Sequence, residues 1–181
     1  MSDVRFGRID GEGAVRRVTI ERTLRAPIDR VWAACTEPAV LGGWWPDWAP
    51  GGRIDGYEGG RIVLGGGEWI DGTVSIWRPP HRFAFTWKDS PAPNDDWHEP
   101  STASLCSFDL VELGDGSSQL ALIQYMPAMS AIGGTAGWHE LVGERLPEWL
   151  GSGAVTDRPA RFDELRALYR SAYPDLEEVT T

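Results

Sequence analysis

Lysine, cysteine and long apolar runs are all scarce in this 181-residue chain. Lys88 is the only lysine, and the formal net charge is −10. An acidic surface repels the phosphates of nucleic acids and of anionic lipid headgroups. We therefore expect the protein to bind neither a nucleic acid nor a membrane surface.

The two cysteines, Cys35 and Cys106, have neither the spacing of metal ligands nor that of a disulfide framework. This pattern is typical of a reduced, intracellular protein. No segment approaches the run of about 18 apolar residues that a membrane span needs, and the charged N-terminus lacks the apolar core of a signal peptide. The sequence therefore predicts a soluble, cytoplasmic protein.

Aromatic side chains, by contrast, are abundant. The chain contains ten tryptophans, and three of them stand within "LGGWWPDW" at 41–48. Such an excess is typical of either a large core or a pocket lined with rings. The length suits one domain, and the chain has no internal repeat or low-complexity tract, so we expect a single domain over residues 1–181.

Apolar residues alternate with polar ones through the first two thirds of the chain. "VRFGRID" and "AVRRVTIERTL" predict two strands joined by a turn at "GEG", so that residues 1–13 form the first strand and turn of a hairpin. Two short helices are predicted in "APIDRVWAACTEPAVLGGWW". The period of two then predicts five more strands, near 61–64, 69–77, 82–88, 103–113 and 119–126. In the second of these five, Val74 and Ile76 are expected on one face and Trp77 on the other.

The last third of the chain has a helical period. An apolar stripe through 138–150 predicts a long helix, in which Pro147 predicts a kink or a restart. An additional helix is predicted over 158–173, with Phe162, Leu165, Leu168 and Tyr169 on one side. Strands followed by a long helix indicate the α+β class.

The segment "RTLRAPIDRVWAACTEPAVLGGWW" resembles the START-like superfamily, also called SRPBCC. The nearest branch is the one named after the C-terminal domain of the activator of the Hsp90 ATPase, which typically shows an "APxxxVWxAxTxPxxLxxWW"-like segment after its first long strand. "GTVSIWRPPHRFAFTW" is similar to a strand, proline turn and strand of that branch. "GWHELVGERL" is similar to the start of its final helix, so the resemblance spans nearly the whole chain.

The resemblance implies a helix-grip fold, in which a curved antiparallel sheet wraps around a long C-terminal helix and encloses a cavity. Relatives use this cavity for lipids, plant hormones, polyketides or other apolar molecules, and some are cyclases or aromatases. Together with the tryptophan content, it leads us to expect a binding protein for an apolar or aromatic small molecule, without a cofactor.

The residues that we predict to bind the ligand line both sides of the expected cavity: Trp45, Trp48, Phe85, Trp87, Phe108, Trp138 and His139. Strand alternation puts the phenylalanines on the apolar face of the sheet. Trp44 is expected to pack in the core instead. A solid core is the alternative to a cavity, because periodicity does not distinguish a filled lining from a hollow one.

His139 is also the candidate catalytic residue, since a neutral imidazole beside an apolar stripe can act as a general base near pH 7. In this alternative the protein is an enzyme of the cyclase, aromatase or hydrolase kind, with Asp71, Asp109 or Tyr125 orienting the substrate. The competing interpretation is a histidine bonded to a carbonyl group or to water at the flank of a helix. The sequence contains neither a nucleophile elbow nor a P-loop.

The segment "NDDWHEP" groups Asp95, Asp96, His98 and Glu99, which are all potential metal ligands. It lacks the preorganised tetrahedral set that a zinc site requires, so we interpret it as a solvated loop and expect no metal.

Two protein-interaction roles complete the alternatives. Stimulation of an Hsp90-type ATPase is the less favoured one, because the eukaryotic activators carry an additional N-terminal domain for which this chain has no room. A homodimer through an edge strand or the terminal helix is compatible with the sequence, but no feature requires it.

Overall fold

The computed structural model describes residues 6–46, 51–67, 70–86 and 105–176, and these contain an eight-stranded antiparallel sheet. The strands are β1 (Arg8–Asp10), β2 (Val15–Leu24), β3 (Arg53–Ile54), β4 (Arg61–Leu64), β5 (Ile70–Arg78), β6 (Arg82–Thr86), β7 (Leu105–Glu112) and β8 (Ser118–Pro127). Their order across the sheet is β1-β2-β8-β7-β6-β5-β4-β3. The second strand therefore pairs with the last one, and β3 to β8 form a meander.

Two short helices, α1 (Ile28–Thr36) and α2 (Pro38–Leu41), follow β2, as predicted. Pro38 stands at the first position of α2, where its missing N–H is no loss and its fixed φ angle suits the helix. The chain then turns back toward the sheet and buries Trp44 and Trp45. This corner closes one end of the fold.

Strand β5 departs from the predicted alternation of faces. Val74 lies opposite Phe85 and Trp77 lies opposite Phe83, with a shift of register between Val74 and Ile76. The extra residue in this bulge turns Trp77 to the face of Val74, where its ring lies 5.5 Å from that of Phe83. The predicted faces of Ile76 and Trp77 were therefore wrong, because one inserted residue inverts a period of two.

A long helix over 131–152, which we call the grip helix, packs against the concave face of the sheet. It consists of α3 (Ala131–Trp138), a π-helical segment (His139–Arg145) and α4 (Leu146–Ser152). The α+β class and the helix-grip architecture predicted above are both confirmed.

The π-helical segment has a cause in Pro147. Proline offers no N–H to the carbonyl group four residues earlier, which is that of Gly143, and its ring crowds that group. The N–H of Leu146 instead bonds to the carbonyl of Leu141, five residues back. The carbonyl of Gly143 instead accepts a hydrogen bond from Nε of Arg22 at 3.0 Å. Arg22 of β2 therefore replaces the backbone N–H that Pro147 lacks.

The additional helix, α5 (Arg161–Ala172), packs against α3. Leu165 and Tyr169 are fully buried, whereas Phe162 and Leu168 are 37% and 46% exposed. The buried stripe is therefore narrower than predicted, because α5 contacts the domain through residues four apart. The hydroxyl of Tyr169 accepts a hydrogen bond from the N–H of Gly7 at 2.6 Å, which joins the last helix to the start of the sheet.

Candidate ligand-binding site

Five buried aromatic side chains meet between the sheet, the α1–α2 corner and the grip helix, and we call them the aromatic cluster: Trp45, Phe83, Phe85, Phe108 and Trp138. The ring of Trp138 lies 5.4 Å from that of Trp45 and 6.0 Å from that of Phe108, edge-to-face in both cases. Phe83 lies 5.2 Å from Phe85 and 6.2 Å from Phe108. These separations are typical of favourable aromatic contacts.

Strand register explains why the phenylalanines meet. Phe83 of β6 lies directly opposite Phe108 of β7, and Phe85 projects to the same face two residues further on. The turn after α2 brings Trp45 to them from the other side. Its neighbour Trp44 is fully buried, and its Nε1 donates a hydrogen bond to the carbonyl of Ala34 at 3.0 Å, so the expectation of a core role for Trp44 is confirmed.

The described residues leave a small free space of about 10 Å³ beside the cluster, and only apolar side chains line it. This is room for about one water molecule. A drug-sized ligand occupies roughly 300–1,000 Å³. This space by itself is therefore too small for such a ligand, and a ligand that enters it needs one or more of the surrounding rings to move.

The structure brings four of the seven predicted ligand-binding residues together: Trp45, Phe85, Phe108 and Trp138. Trp48 and Trp87 lie outside the described residues. His139 follows Trp138 in the chain but projects from a different side of the grip helix, toward α5. No ligand contact has been observed for any of the seven, and their role stays a prediction.

His139 is fully buried, and its Nδ1 lies 2.8 Å from the hydroxyl oxygen of Tyr169. The ring of Phe6 packs edge-on against it at 6.1 Å. Because the oxygen of Tyr169 already accepts the N–H of Gly7, its own proton is free to be donated to Nδ1. This arrangement puts the imidazole proton on Nε2. The partner of His139 is thus a tyrosine hydroxyl rather than the carbonyl group or water considered above.

The surroundings of His139 keep the imidazole neutral. Burial is the main cause that lowers the pKa of His139 to about 4, and the charge of Arg22 adds to it. Glu144 acts in the opposite direction, with its Oε1 3.6 Å from Nε2. Burial raises the pKa of Glu144, but the hydrogen bonds and charge of Arg161 outweigh this, so the pKa lies below its ordinary value. At pH 7, His139 is therefore neutral, and its hydrogen bond with Tyr169 links the grip helix to α5.

The other polar residues considered for catalysis lie on the outer face of the sheet. Asp71 and Asp109 each form an ion pair at 2.9 Å with an arginine of the neighbouring strand. Tyr125 alternates with the inward-facing positions of β8, so it also points outward. These three residues do not converge on His139, whose polar neighbours are Tyr169, Glu144 and Arg22 instead.

One polar side chain beside the aromatic cluster was not predicted. Gln124 faces inward from β8, is 5% exposed, and accepts a hydrogen bond through Oε1 from Nε1 of Trp138 at 2.5 Å. The sequence does contain a signal for it. The inward positions of β8 run through Leu120 and Leu122, and the next one is a glutamine. A polar residue in an otherwise apolar row indicates a specific partner.

Among the described ranges, no three side chains of histidine, cysteine, aspartate or glutamate are grouped to hold a metal ion. The segment from Asp95 to Glu99 lies outside those ranges. No helix in the same part of the chain has the length and apolar character needed to cross a membrane.

A curved antiparallel sheet around one long C-terminal helix defines a helix-grip protein. Residues 25–151 match the family described as Activator of Hsp90 ATPase homolog 1-like protein, and the chain belongs to this family. The resemblance inferred from the sequence is therefore confirmed. No curated protein matches the chain.

Solved structures share the fold at low sequence identity. CalU16 from Micromonospora echinospora is 23% identical, with a TM-score of 0.67 over 94% of each chain. EF2215 from Enterococcus faecalis, a protein of unknown function, is 18% identical, with a TM-score of 0.74 over 97% of this chain and 95% of that one. DynU16, a protein in the dynemicin biosynthetic locus, is 23% identical, with a TM-score of 0.57 over 77% of this chain and 48% of that one.

Proposed function

We propose that the protein binds an apolar, ring-containing small molecule between the sheet and the grip helix, at the aromatic cluster. The observation that carries this proposal is the meeting of Trp45, Phe85, Phe108 and Trp138 beside a space that only apolar side chains line. Rigid rings offer a large contact area at a small cost in conformational entropy. They suit a flat ligand that enters among them.

The comparisons support a small molecule as the ligand. DynU16, which has the same fold, is a protein in a biosynthetic locus. Asp71 and Asp109 lie on the other face of the sheet, and His139 faces α5 rather than the aromatic cluster, so binding accounts for the arrangement of side chains better than turnover does.

Trp45 is the ring that we expect to move when a ligand enters. The other four members of the cluster stand on strands or on the grip helix, whereas Trp45 lies in irregular backbone after α2. Its displacement would enlarge the space of about 10 Å³ without disturbing the pairing of the sheet. Loop and turn segments are the parts of a fold that open at the lowest cost in free energy.

Titration with 1-bromonaphthalene tests the proposal, because its bromine quenches indole emission at contact. We expect saturable quenching of tryptophan emission and a higher melting temperature, since a ligand that binds only the folded state stabilises it. Trp45→Phe should lower the quenched fraction. Trp32→Phe is the matched control, because that indole stands on α1 and packs against Trp77, at 5.0 Å.

Absence of saturable quenching, together with an unchanged melting temperature, would refute the proposal. Equal quenching in wild type and Trp45→Phe would place the bound probe away from the cluster.

A further inference from the structure

We infer that the outer face of the sheet carries a second binding site, which takes a small zwitterion with an apolar side group, such as an α-amino acid. The site is a recess of about 340 Å³ beside β1 and β2, and the described residues that line it are Phe6, Arg8, Thr19 and Glu21. This volume is typical of a site for a small molecule. The inference does not depend on the proposed function, because the aromatic cluster lies on the concave face.

Strand register explains why these four residues share a face. Arg8 of β1 lies opposite Thr19 of β2, and Glu21 follows Thr19 by two residues, so the three side chains project to the same side. Thr19 also lies opposite Ile123, whose neighbours in β8 face the grip helix, so the shared side is the outer face. Phe6 precedes Arg8 by two residues and continues the outward row, since both are exposed and the residue between them is buried.

Thr19 is the most buried of the four and carries a polar atom without a partner. The residue is 3% exposed, and its hydroxyl makes no hydrogen bond within the described part of the chain. An unpaired buried hydroxyl destabilises the fold that contains it. Rotation about χ1 exchanges the positions of the hydroxyl and the methyl group, so a ligand in the recess can supply the missing partner.

Two opposite charges line the recess beside Thr19. Nη1 of Arg8 lies 3.6 Å from Oε2 of Glu21, and Nε of Arg8 lies 3.9 Å from Oδ2 of Asp10. Both distances are longer than a hydrogen bond, so these contacts do not use up the donors of the guanidinium or the oxygens of Glu21. The side chains of Arg8 and Glu21 are 55% and 41% exposed, and a ligand can therefore reach both.

This pairing of charges selects the class of ligand. A simple anion would be repelled by Glu21, and a simple cation would be repelled by Arg8. A zwitterion satisfies both, because its carboxylate binds the guanidinium and its ammonium group binds the carboxylate of Glu21. The ring of Phe6 offers an apolar surface to the side group of the ligand. It is 52% exposed and packs edge-on against Tyr169 at 5.7 Å, which holds it in place.

Isothermal titration calorimetry with three related probes tests the inference. L-phenylalanine carries both charged groups, 3-phenylpropionate lacks the ammonium group, and phenethylamine lacks the carboxylate. We expect wild type to bind L-phenylalanine about tenfold more tightly than either analogue, because each analogue loses one charge-assisted contact. Arg8→Gln and Glu21→Gln should each remove most of this preference. Arg78→Gln and Glu112→Gln are the matched controls, since both side chains are exposed on other strands.

Thr19→Val separates a binding role of this residue from a structural one. Valine has nearly the same shape but no hydroxyl, so the variant should have a higher melting temperature without ligand. It should nevertheless bind L-phenylalanine several-fold more weakly, because the ligand loses a hydrogen bond. An unchanged affinity would show that the hydroxyl has no part in binding and would overturn the inference.

The remaining outcomes keep the second site distinct from the aromatic cluster. If L-phenylalanine does not bind to wild type at millimolar concentration, or if either analogue binds equally well, the inference fails and the proposed function stands. Saturating 1-bromonaphthalene should not displace L-phenylalanine. Displacement would place both probes at one site and would overturn the inference.

Discussion

Replacing His139 by asparagine should remove an acid sensitivity that the wild-type fold carries. Burial lowers the pKa of His139 from 6.5 to about 4 in the folded protein. The unfolded chain therefore binds the proton more readily, and a fall in pH through 6.5 stabilises the unfolded state. The stability that depends on a neutral His139 is complete above about pH 6.5 and is lost progressively as the pH falls toward 4.

The magnitude follows from the two pKa values. The gap between 6.5 and about 4 corresponds to roughly 3 kcal/mol, at about 1.4 kcal/mol per pH unit. At pH 5 the unfolded histidine is almost fully protonated and the folded one is still mostly neutral. About 2 kcal/mol of the effect is therefore already present there.

Urea unfolding of wild type and His139→Asn at pH 7.5, 6 and 5 measures the effect. Asparagine keeps an acceptor for the hydroxyl of Tyr169 but has no titrating group. The difference in free energy of unfolding between the two proteins should fall by about 2 kcal/mol from pH 7.5 to pH 5. His81→Asn, which removes an exposed histidine, should follow the wild-type profile. A difference that stays constant over this range would show that His139 is not held neutral by burial.

Two further substitutions test the junctions of the grip helix. Arg22→Ala should destabilise the fold by roughly 1–3 kcal/mol, because the carbonyl of Gly143 loses its donor. The loss should be about 1 kcal/mol smaller in a Pro147→Ala background, where residue 147 regains an N–H for the same carbonyl, and a double-mutant cycle without coupling would contradict this account. Tyr169→Phe should lower the stability by roughly 2–4 kcal/mol in chemical unfolding, since two buried groups lose their partner. Tyr125→Phe on the outer face is the control, and an equal loss in both variants would count against the buried network.

Much of the fold was predictable because periodicity and turn residues are local properties of the chain. The two short helices, the meander and the long final helix each have a pattern of their own, and the segment before Trp44 and Trp45 resembles a known family. The inward faces of Phe85 and Phe108 also followed from alternation alone. These features depend on residues that are close together in the sequence.

The errors come from features that depend on contacts between distant segments. The bulge in β5 inverts the face of Trp77, and only pairing with β6 reveals it. Phe162 and Leu168 have the right spacing to be buried, but α5 packs at the edge of the domain and leaves them exposed. The direction in which the His139 side chain points also depends on tertiary structure. Successive side chains along a helix point about 100° apart, so the packing of the helix decides which of them faces the sheet.

That rotation divides the grip helix between two roles. Trp138 faces the sheet, where it contacts the aromatic cluster and orients the amide of Gln124. His139, the next residue, faces the other way and joins the helix to Tyr169 of α5. His139, the titratable side chain most suited to catalysis, therefore holds the terminal helix in place. Trp138, the residue beside it, contacts the aromatic cluster instead. This separation agrees with the proposed binding of a ligand at the aromatic cluster, and it leaves His139 to secure the framework around the site.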